Sequence, residues 1–341
     1  MKHRFLFALA LAVLAPAAKA QDVAAFYKGK TINLIISTSP GGDYDVRARL
    51  VGRHIGRHIP GSPTVLPQNM PGRGGIRAAN YLYNGAARDG TAMLAVMQQI
   101  PLTQVFKLSG VEFDLARGHY IGNTSSSPIV VASWHTSPVK TVEQSIASEL
   151  IIGASGAGSA STQIPAMLNA TIGTKFKVIA GYGAANKVVL AMLSGETQGS
   201  FGTWNNVSTN HAQALRDGDI RPLLQIALTA DPTMPNVPLL LDMAEGEEAK
   251  QLVRIMSSST LMGQSFAGPP ALPEPILTAL RRAFDATMVD KEFVEKMNNI
   301  GVKFTPMTGE DLTKQVDQIM NTSPELVERY KAISGEGGAA P

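Results

Sequence analysis

The sequence contains no cysteine and only two tryptophans, and aromatic residues make up just 6% of its 341 residues. Without thiols the chain forms no disulfides, and it has no ligands for cysteine-based zinc sites or iron–sulfur clusters and no thiol nucleophile. Hydrophobic residues nevertheless make up 44% of the chain. This content excludes disorder for most of the chain, because burial of apolar surface can offset the entropy lost on folding. The length suggests about two domains.

Most of the chain also lacks an excess of positive or negative charge. The whole sequence has 30 Lys and Arg against 27 Asp and Glu, a formal net charge of +3. The surplus comes from Lys2, Arg4 and Lys19, since residues 1–20 contain no acidic residue. The remainder is formally neutral, which argues against a nucleic-acid partner because nucleic-acid-binding proteins present basic surfaces.

Residues 1–20 have the three parts of a secretory signal peptide. A basic head is followed by an apolar run from Phe5 to Ala15 and by the triplet Ala18-Lys19-Ala20. A membrane span needs about 20 apolar residues, so this run is too short to be one. We expect cleavage after Ala20 and export to the bacterial periplasm, which suits a chain without cysteine better than an extracellular setting does. A retained anchor helix or a buried N-terminal helix is the alternative.

Strand-like and helix-like segments alternate along the rest of the chain. Thr31–Ile36 predicts a buried strand, and the residues from Asp43 onward predict a helix with one apolar face. This alternation predicts parallel α/β sheets, in which ligands bind beyond the carboxyl ends of the strands. After about residue 238 helices predominate without a further complete sheet, so we expect the C-terminal region to pack back on the first domain.

Several signatures of catalysis or metal binding are incomplete. Gly29-Lys30-Thr31 lacks the upstream glycine of a phosphate-binding loop, and Ala157 stands where a nucleophile elbow needs glycine. His54 and His58 lie four residues apart but lack the glutamate of a zinc protease. We therefore expect no catalytic residues, no metal and no cofactor, and we place both histidines on a solvated basic face. That face, or alternatively a docking face, would include Arg49, Arg53 and Arg57.

The first candidate ligand site is the loop Ser39–Asp45, called here the first loop, between a strand and a helix. Its glycines allow the backbone to approach a ligand, and the N–H groups at a helix start suit a carboxylate. Asp43 or Asp45 could cap the helix or accept a ligand hydroxyl or an ordered water. An ordinary strand–turn–helix connection would use the same residue types. The candidate residues are Ser39, Pro40, Gly41, Gly42, Asp43, Tyr44 and Asp45.

The second candidate site is the small, hydroxyl-rich loop Ala154–Gln163, called here the second loop, which also precedes a helix. Its N–H and O–H donors could hold a second anionic group, or the segment could simply be a flexible loop with a helix cap. An exported α/β hydrolase would use one of its serines as a nucleophile, with a histidine in reach. The candidate residues are Ser155, Ser159, Ser161, Thr162 and Gln163.

Taken in order, these motifs resemble the Bug-type substrate-binding proteins of tripartite tricarboxylate transporters. The family's Pro-Gly-Gly-x-x-Asp is matched by Pro40–Asp45, and the following Ala-Arg by Ala48-Arg49. Its Asn-x-Pro-Gly-x-Gly-Gly loop is matched by Asn69–Gly75, and its Gly-Ser-x-Ser-Thr loop by Gly158–Thr162. The similarity extends over almost the whole mature chain, and the ordered set of motifs carries it.

The resemblance implies an α/β fold of two lobes joined by two crossover strands, a type II-like periplasmic binding protein that closes like a clamshell. Residues 21–122 and 229–341 would form lobe 1, and residues 123–228 would form lobe 2. The ligand would be a small carboxylate, held by the first loop and, at its far end, by the second. The protein would be a monomer that delivers its ligand to the integral-membrane permease subunits of an ion-gradient-driven transporter.

The sequence departs from the family pattern at two positions. Gln163 stands where the family often has histidine, and Gly202 stands where it often has an acidic residue. These changes put the usual dicarboxylate in question and leave a ring-bearing or larger acid open. A ligand-sensing partner of a membrane signalling protein also remains open as an alternative to transport. The remaining expected site residues are Gly74, Gly75, Tyr182, Gly202, Thr203 and Trp204.

Overall fold

Two β-sheets organise the computed structural model, which describes residues 23–154, 160–182, 185–301 and 304–334. The predicted signal peptide and residues 155–159 of the second loop lie outside the described residues. The strands are β1 (Thr31–Ile36), β2 (Thr64–Asn69), β3 (Ala92–Met97), β4 (His119–Asn123), β5 (Ile129–Trp134), β6 (Leu150–Ala154), β7 (Phe176–Ala180), β8 (Gly199–Thr203), β9 (Ile220–Ile226), β10 (Gln264–Gly268) and β11 (Met307–Thr308).

Helices cover the sheets and connect the strands. Short 3-10 turns lie at Gly56–His58, Arg73–Gly75, Leu115–Arg117 and Ser259–Met262. Within the described part of the chain, no helix is both long and apolar enough to cross a membrane. The helices are α1 (Val23–Tyr27), α2 (Asp43–Ile55), α3 (Ile76–Asn84), α4 (Ile100–Val105), α5 (Val142–Ala147), α6 (Ala160–Thr171), α7 (Ala185–Leu193), α8 (Trp204–Asn210), α9 (Ala212–Arg216), α10 (Leu240–Met243), α11 (Glu247–Ser258), α12 (Glu274–Met288), α13 (Lys291–Asn299), α14 (Gly309–Met320) and α15 (Pro324–Ser334).

The first sheet has the order β11-β4-β10-β3-β1-β2, and the second has the order β7-β6-β8-β5-β9. The chain passes from the first sheet to the second at residues 124–128 and returns through residues 227–263, which include α10 and α11. These two crossovers divide the protein into two α/β lobes, which confirms the predicted fold class. The first lobe contains the first sheet and the second lobe contains the second.

The prediction of parallel sheets is right for part of each sheet. β1 is parallel to β2 and β3, and β6 is parallel to β7 and β8. The strands next to the crossovers differ: β10 is antiparallel to β3 and β4, and β5 is antiparallel to β8 and β9. Two neighbouring strands run parallel when a crossover connection, usually a helix, returns the chain to the same end of the sheet. β5 and β10 enter from the other lobe without such a connection within their own sheet, so they run antiparallel to their neighbours.

The first lobe has its core where α2 and α12 pack on the first sheet. Leu34 and Ile36 of β1 are fully buried there with Val51 of α2 and Phe284 of α12. Burial of each such side chain contributes roughly 1.5–3 kcal/mol. The C-terminal elements join this lobe, since β10 and β11 lie in its sheet and α14 packs on β4. The last helix, α15, instead contacts α6 of the second lobe.

The prediction that His54 lies on a solvated basic face of α2 is wrong. Its side chain is 2% exposed, and its ring packs against that of Phe293 at a centroid distance of 5.6 Å. The reason is that α13 packs across α2, which the helical period of α2 alone does not reveal. The same packing joins Arg57 to Asp290 and Glu292, so this end of the arginine stripe forms ion pairs within the chain.

Candidate functional site

The first loop lies at the carboxyl end of the parallel strands of the first sheet. Ile36 of β1 is in register with Asn69 of β2 and Ala95 of β3, so the segments that follow these three strands meet at one edge. Gly41 has φ +84° and is exposed, and Gly42 precedes α2 in an extended conformation without a side-chain cap for the helix. The edge therefore presents the start of a 13-residue helix whose N–H groups are not capped by a side chain.

The carboxylate of Asp45 holds the first loop in its shape. The Gly41 amide donates to Asp45 Oδ2 at 2.9 Å, and Arg49 Nε and Asn69 Nδ2 each donate to Oδ1 at 2.8 Å. Asn69 Nδ2 also lies 2.9 Å from the Thr38 carbonyl oxygen, to which it donates. Asp45 is 3% exposed. The most recognisable acidic residue of the first motif thus binds the loop itself, and the Asn69 motif supplies one of its partners.

The other side chains of the first turn of α2 hold the crossovers between the lobes. Asp43 pairs with Arg47, a guanidinium that is 1% exposed and donates to Ser125 Oγ in the first crossover at 2.6 Å. The Tyr44 hydroxyl donates to the Gly263 carbonyl in the second crossover at 3.0 Å. Burial raises the pKa of Tyr44 to about 12, so this hydroxyl remains a neutral donor at neutral pH. The first loop is therefore linked directly to the segments about which the lobes would move.

Backbone hydrogen bonds join the first crossover to the second crossover and to the first residue of β10. The Ser127 amide donates to the Thr260 carbonyl at 3.3 Å. The Thr124 amide donates to the Gln264 carbonyl at 3.1 Å, and the Gln264 amide donates to the Ser125 carbonyl at 3.2 Å. Gly263 has φ +40°, and a Cβ at this position would lie 1.4 Å from the Ser125 carbonyl oxygen. Only glycine allows this approach. Sequence analysis missed these residues, because a lone glycine before a strand carries no signal of a partner 138 positions away.

The glycines of the Asn69–Gly75 motif differ in their surroundings. A Cβ on Gly75 would lie 3.2 Å from Ile100 Cδ1 and 3.5 Å from Ser37 Cβ, so Gly75 packs against the base of the first loop. Gly74 has φ +63° and open space around it. Both residues follow β2, at the same sheet edge as the first loop, and their contact with a ligand stays a prediction.

Gly202, Thr203 and Trp204 lie where β8 ends and α8 begins, and α8 contacts α2 of the other lobe. The Thr203 hydroxyl caps α8 by accepting from the Asn206 amide at 3.3 Å. Trp204 is 9% exposed, and its indole N–H donates to Thr233 Oγ1 at 2.8 Å. The indole N–H is therefore engaged with the second crossover, while Gly202 and Thr203 remain half-buried.

Ser161, Thr162 and Gln163 lie in the first turn of α6, and all three are half-buried. Gln163 Oε1 accepts from the Tyr330 hydroxyl of α15 at 3.1 Å, which ties the last helix to the second lobe. Tyr182 lies just after β7, and its hydroxyl donates to Glu196 Oε1 at 2.8 Å. The remaining candidates of the second loop, Ser155 and Ser159, lie outside the described residues.

A small cavity of about 20 Å³ lies between the lobes beside Gln163. It was not predicted, because its walls come from five segments that are far apart in the sequence, and of its lining residues only Gln163 belongs to a predicted site. The cavity is lined by Gln99, Leu102, Thr103, Phe106, Ile129, Gln163, Ile164, Met167, Met256, Ser259 and Tyr330.

Within the described ranges, no group of three or more His, Asp or Glu side chains is placed to hold a metal ion.

Comparison with known proteins links this arrangement to a receptor family. The family described as tripartite tricarboxylate transporter family receptor matches residues 49–331. Among solved structures, the periplasmic binding protein BugD is 18% identical, with a TM-score of 0.69, over 90% of this chain and 98% of its own. No curated protein matches.

Two further solved structures carry ligands according to their descriptions. MatC from Rhodopseudomonas palustris, solved with bound malate, is 17% identical with a TM-score of 0.68, over 89% of this chain and 99% of its own. An R. palustris protein solved with adipate is 18% identical with a TM-score of 0.68, over 90% of this chain and 97% of its own. At this level of identity these structures support the two-lobe fold.

Proposed function

Because the chain belongs to the tripartite tricarboxylate transporter receptor family, we propose that it binds a small organic carboxylate between its lobes and delivers it to the transporter. Receptors of this family work with membrane subunits of a transporter, and the family consists of binding proteins rather than enzymes. We propose further that the mature protein acts in the periplasm as a monomer and has no catalytic activity of its own.

The start of α2 is the observation that carries this proposal. The helix has 13 residues and no side-chain cap, and the loop before it contains two consecutive glycines. Unpaired N–H groups and the partial positive charge of a helix N-terminus bind a carboxylate well. Both acidic residues nearby are already paired, Asp43 with Arg47 and Asp45 with Arg49, so they repel an incoming anion less than free carboxylates would.

In the proposed complex, the ligand carboxylate contacts Ser39–Gly42 of the first loop. Gly74 and Gly75 border this site, and Ser161, Thr162 and Gln163 of α6 contact the ligand from the second lobe. Ser155 and Ser159 stay candidate contacts that lie outside the described residues. Three residues support the site without binding the ligand, because their polar atoms already bind other groups of the chain. They are Asp45, Tyr44 and Trp204. Thr203 and Gly202 form part of the wall at the start of α8.

Two relatives of the same fold support the ligand class, since one was solved with malate and the other with adipate. Both ligands are small organic acids. A ligand that contacts both lobes binds the closed arrangement better than the open one, and this difference in affinity would shift the receptor toward closure. Ligand affinity in the micromolar range requires only about −8 kcal/mol.

A thermal-shift screen of the mature chain, residues 21–341, tests the proposal. The screen uses monocarboxylates, dicarboxylates and aromatic acids at millimolar concentration, with the matching primary amides as controls. A ligand at 100 times its Kd stabilises the folded state by about 2.7 kcal/mol, so at least one acid should raise the melting temperature by several degrees. Stabilisation by no acid, or equal stabilisation by acid and amide, would contradict the proposal.

A further inference from the structure

We infer that the receptor prefers monocarboxylates with an uncharged aliphatic or aromatic tail over dicarboxylates of the same length. This inference rests on the proposed function, since it assigns the far end of the ligand once its carboxylate is held by the first loop. The observation behind it is the cavity between the lobes beside Gln163.

The cavity adjoins the first loop through one short segment of the chain. The Gln98 amide donates to the Tyr44 hydroxyl at 3.3 Å, and the next residue, Gln99, lines the cavity. Ile100 follows and packs toward Gly75, which also lies close to Ser37 just before the first loop. On the other side, the cavity is bounded by Gln163 in the first turn of α6. A ligand that spans from the first loop to α6 therefore places its far end at this cavity.

The walls of the cavity are apolar or neutral. Its neutral polar side chains are Gln99, Thr103, Gln163, Ser259 and the hydroxyl of Tyr330. A carboxylate taken out of water without a cation as partner loses its hydration with little compensation, whereas a methylene chain or a ring gains from the same transfer. None of the described residues that line the cavity is basic. The apolar residues are Leu102, Phe106, Ile129, Ile164, Met167 and Met256.

Two of the polar side chains at the cavity already form a hydrogen bond with each other. The Tyr330 hydroxyl donates to Gln163 Oε1 at 3.1 Å, and the Tyr330 ring stacks on that of Phe106 with the planes 9° apart. An amide and a phenol can orient a ligand, but they cannot neutralise a second negative charge. The cavity holds about one water molecule at its present size, so a tail enters only with a shift of α6 and α15 relative to α4.

Titration calorimetry with matched acids tests the inference. We would compare hexanoate with adipate and 4-methylbenzoate with terephthalate, using the mature wild-type chain. The monoacid of each pair should bind at least about tenfold more tightly, a difference of about 1.4 kcal/mol. Equal or tighter binding of the diacids overturns this inference and leaves the proposed function intact. Failure of every acid to bind overturns both.

A pair of substitutions of similar size at Gln163 separates charge from shape. Gln163→Lys places a cation at the cavity, and Gln163→Met places an uncharged side chain of similar length there. We expect the lysine variant to shift the preference toward adipate by at least about tenfold, and the methionine variant to keep the preference for hexanoate. Melting temperatures of the two variants without ligand check that both are folded. An unchanged preference in a folded lysine variant contradicts the inference.

Discussion

The Gly41 amide donates a hydrogen bond to the Asp45 carboxylate at 2.9 Å, and this contact closes the first loop over the start of α2. The same carboxylate binds Arg49 and Asn69, so one buried side chain connects the loop, the helix and the end of β2. We regard this as the reason that the loop can present its remaining N–H groups in a fixed arrangement. A ligand then binds without first ordering the loop.

Asp45→Asn should weaken ligand binding while the protein remains folded. An amide has one acceptor oxygen, so it cannot accept from Gly41, Arg49 and Asn69 together, and its NH2 group would face one of these donors. Hydrogen bonds to a charged group contribute about 1.5–3 kcal/mol each, so we expect Kd to rise at least tenfold in calorimetry. Asp242→Asn, at an exposed position, is the control. Wild-type affinity in the Asp45 variant would show that the carboxylate does not shape the site.

A negative charge placed in the first loop should weaken ligand binding more than a neutral residue of the same shape does. Gly41 has φ +84° and open space around it, so Gly41→Asn and Gly41→Asp carry the same backbone strain and differ in charge. A carboxylate close to the bound anion disfavours it. We expect the Asp variant to bind the best ligand at least about tenfold more weakly than the Asn variant, about 1.4 kcal/mol. Equal affinity of the two variants would place the anion elsewhere.

Tyr44→Phe should destabilise the junction of the lobes. The lost hydroxyl donates to the Gly263 carbonyl and accepts from the Gln98 amide, and both groups are buried with it. Leaving such groups without this partner costs about 1–3 kcal/mol, which chemical denaturation measures. Tyr81→Phe provides the control, because this ring is 42% exposed. If the two variants lose equal stability, the Tyr44 hydroxyl does not support the crossovers.

The stability of the protein should fall on the acid side because of His54. Burial, together with the positive charge of Arg57, lowers the pKa of this histidine, and its Nδ1 lies 3.1 Å from the Leu50 carbonyl oxygen. The unfolded chain, with a histidine pKa of about 6.5, therefore takes up a proton before the folded chain does. The contribution of neutral His54 to the free energy of unfolding is fully present above about pH 6.5. It is lost as the pH falls toward the lower pKa of the folded state.

We expect the free energy of unfolding of His54→Gln to depend less on pH between about 6.5 and 5 than that of the wild type. Denaturant titrations at several pH values within this window provide the measurement. His135→Gln is the control, since the His135 side chain is 44% exposed. An equal slope for the wild type and His54→Gln would assign the acid sensitivity to other groups.

Local patterns were sufficient to predict the first loop but not its internal contacts. The period of the apolar residues and the glycines located β1, the loop and α2, because these signals lie within a few residues of one another. Asn69 accompanies Asp45 in the sequence motifs, yet the sequence alone does not say that the two side chains bind each other. Their contact depends on the register of β1 and β2, which only the folded sheet fixes.

The features that sequence analysis missed depend on contacts between distant segments. Gly263 meets Ser125 across 138 positions, α13 covers His54, and Tyr330 reaches Gln163 from the last helix. Such contacts follow from how the lobes and terminal helices pack, and no local period or motif encodes that packing. The cavity was missed for the same reason.

Isothermal titration of the mature protein with its best carboxylate ligand and with the primary amide of that ligand tests the central claim most directly. We predict one site per chain for the acid, with Kd in the micromolar range or below, about −8 kcal/mol or stronger. The amide should bind at least about a hundredfold more weakly, because it lacks the charge that the start of α2 recognises. Equal binding of acid and amide would contradict a carboxylate site at the first loop.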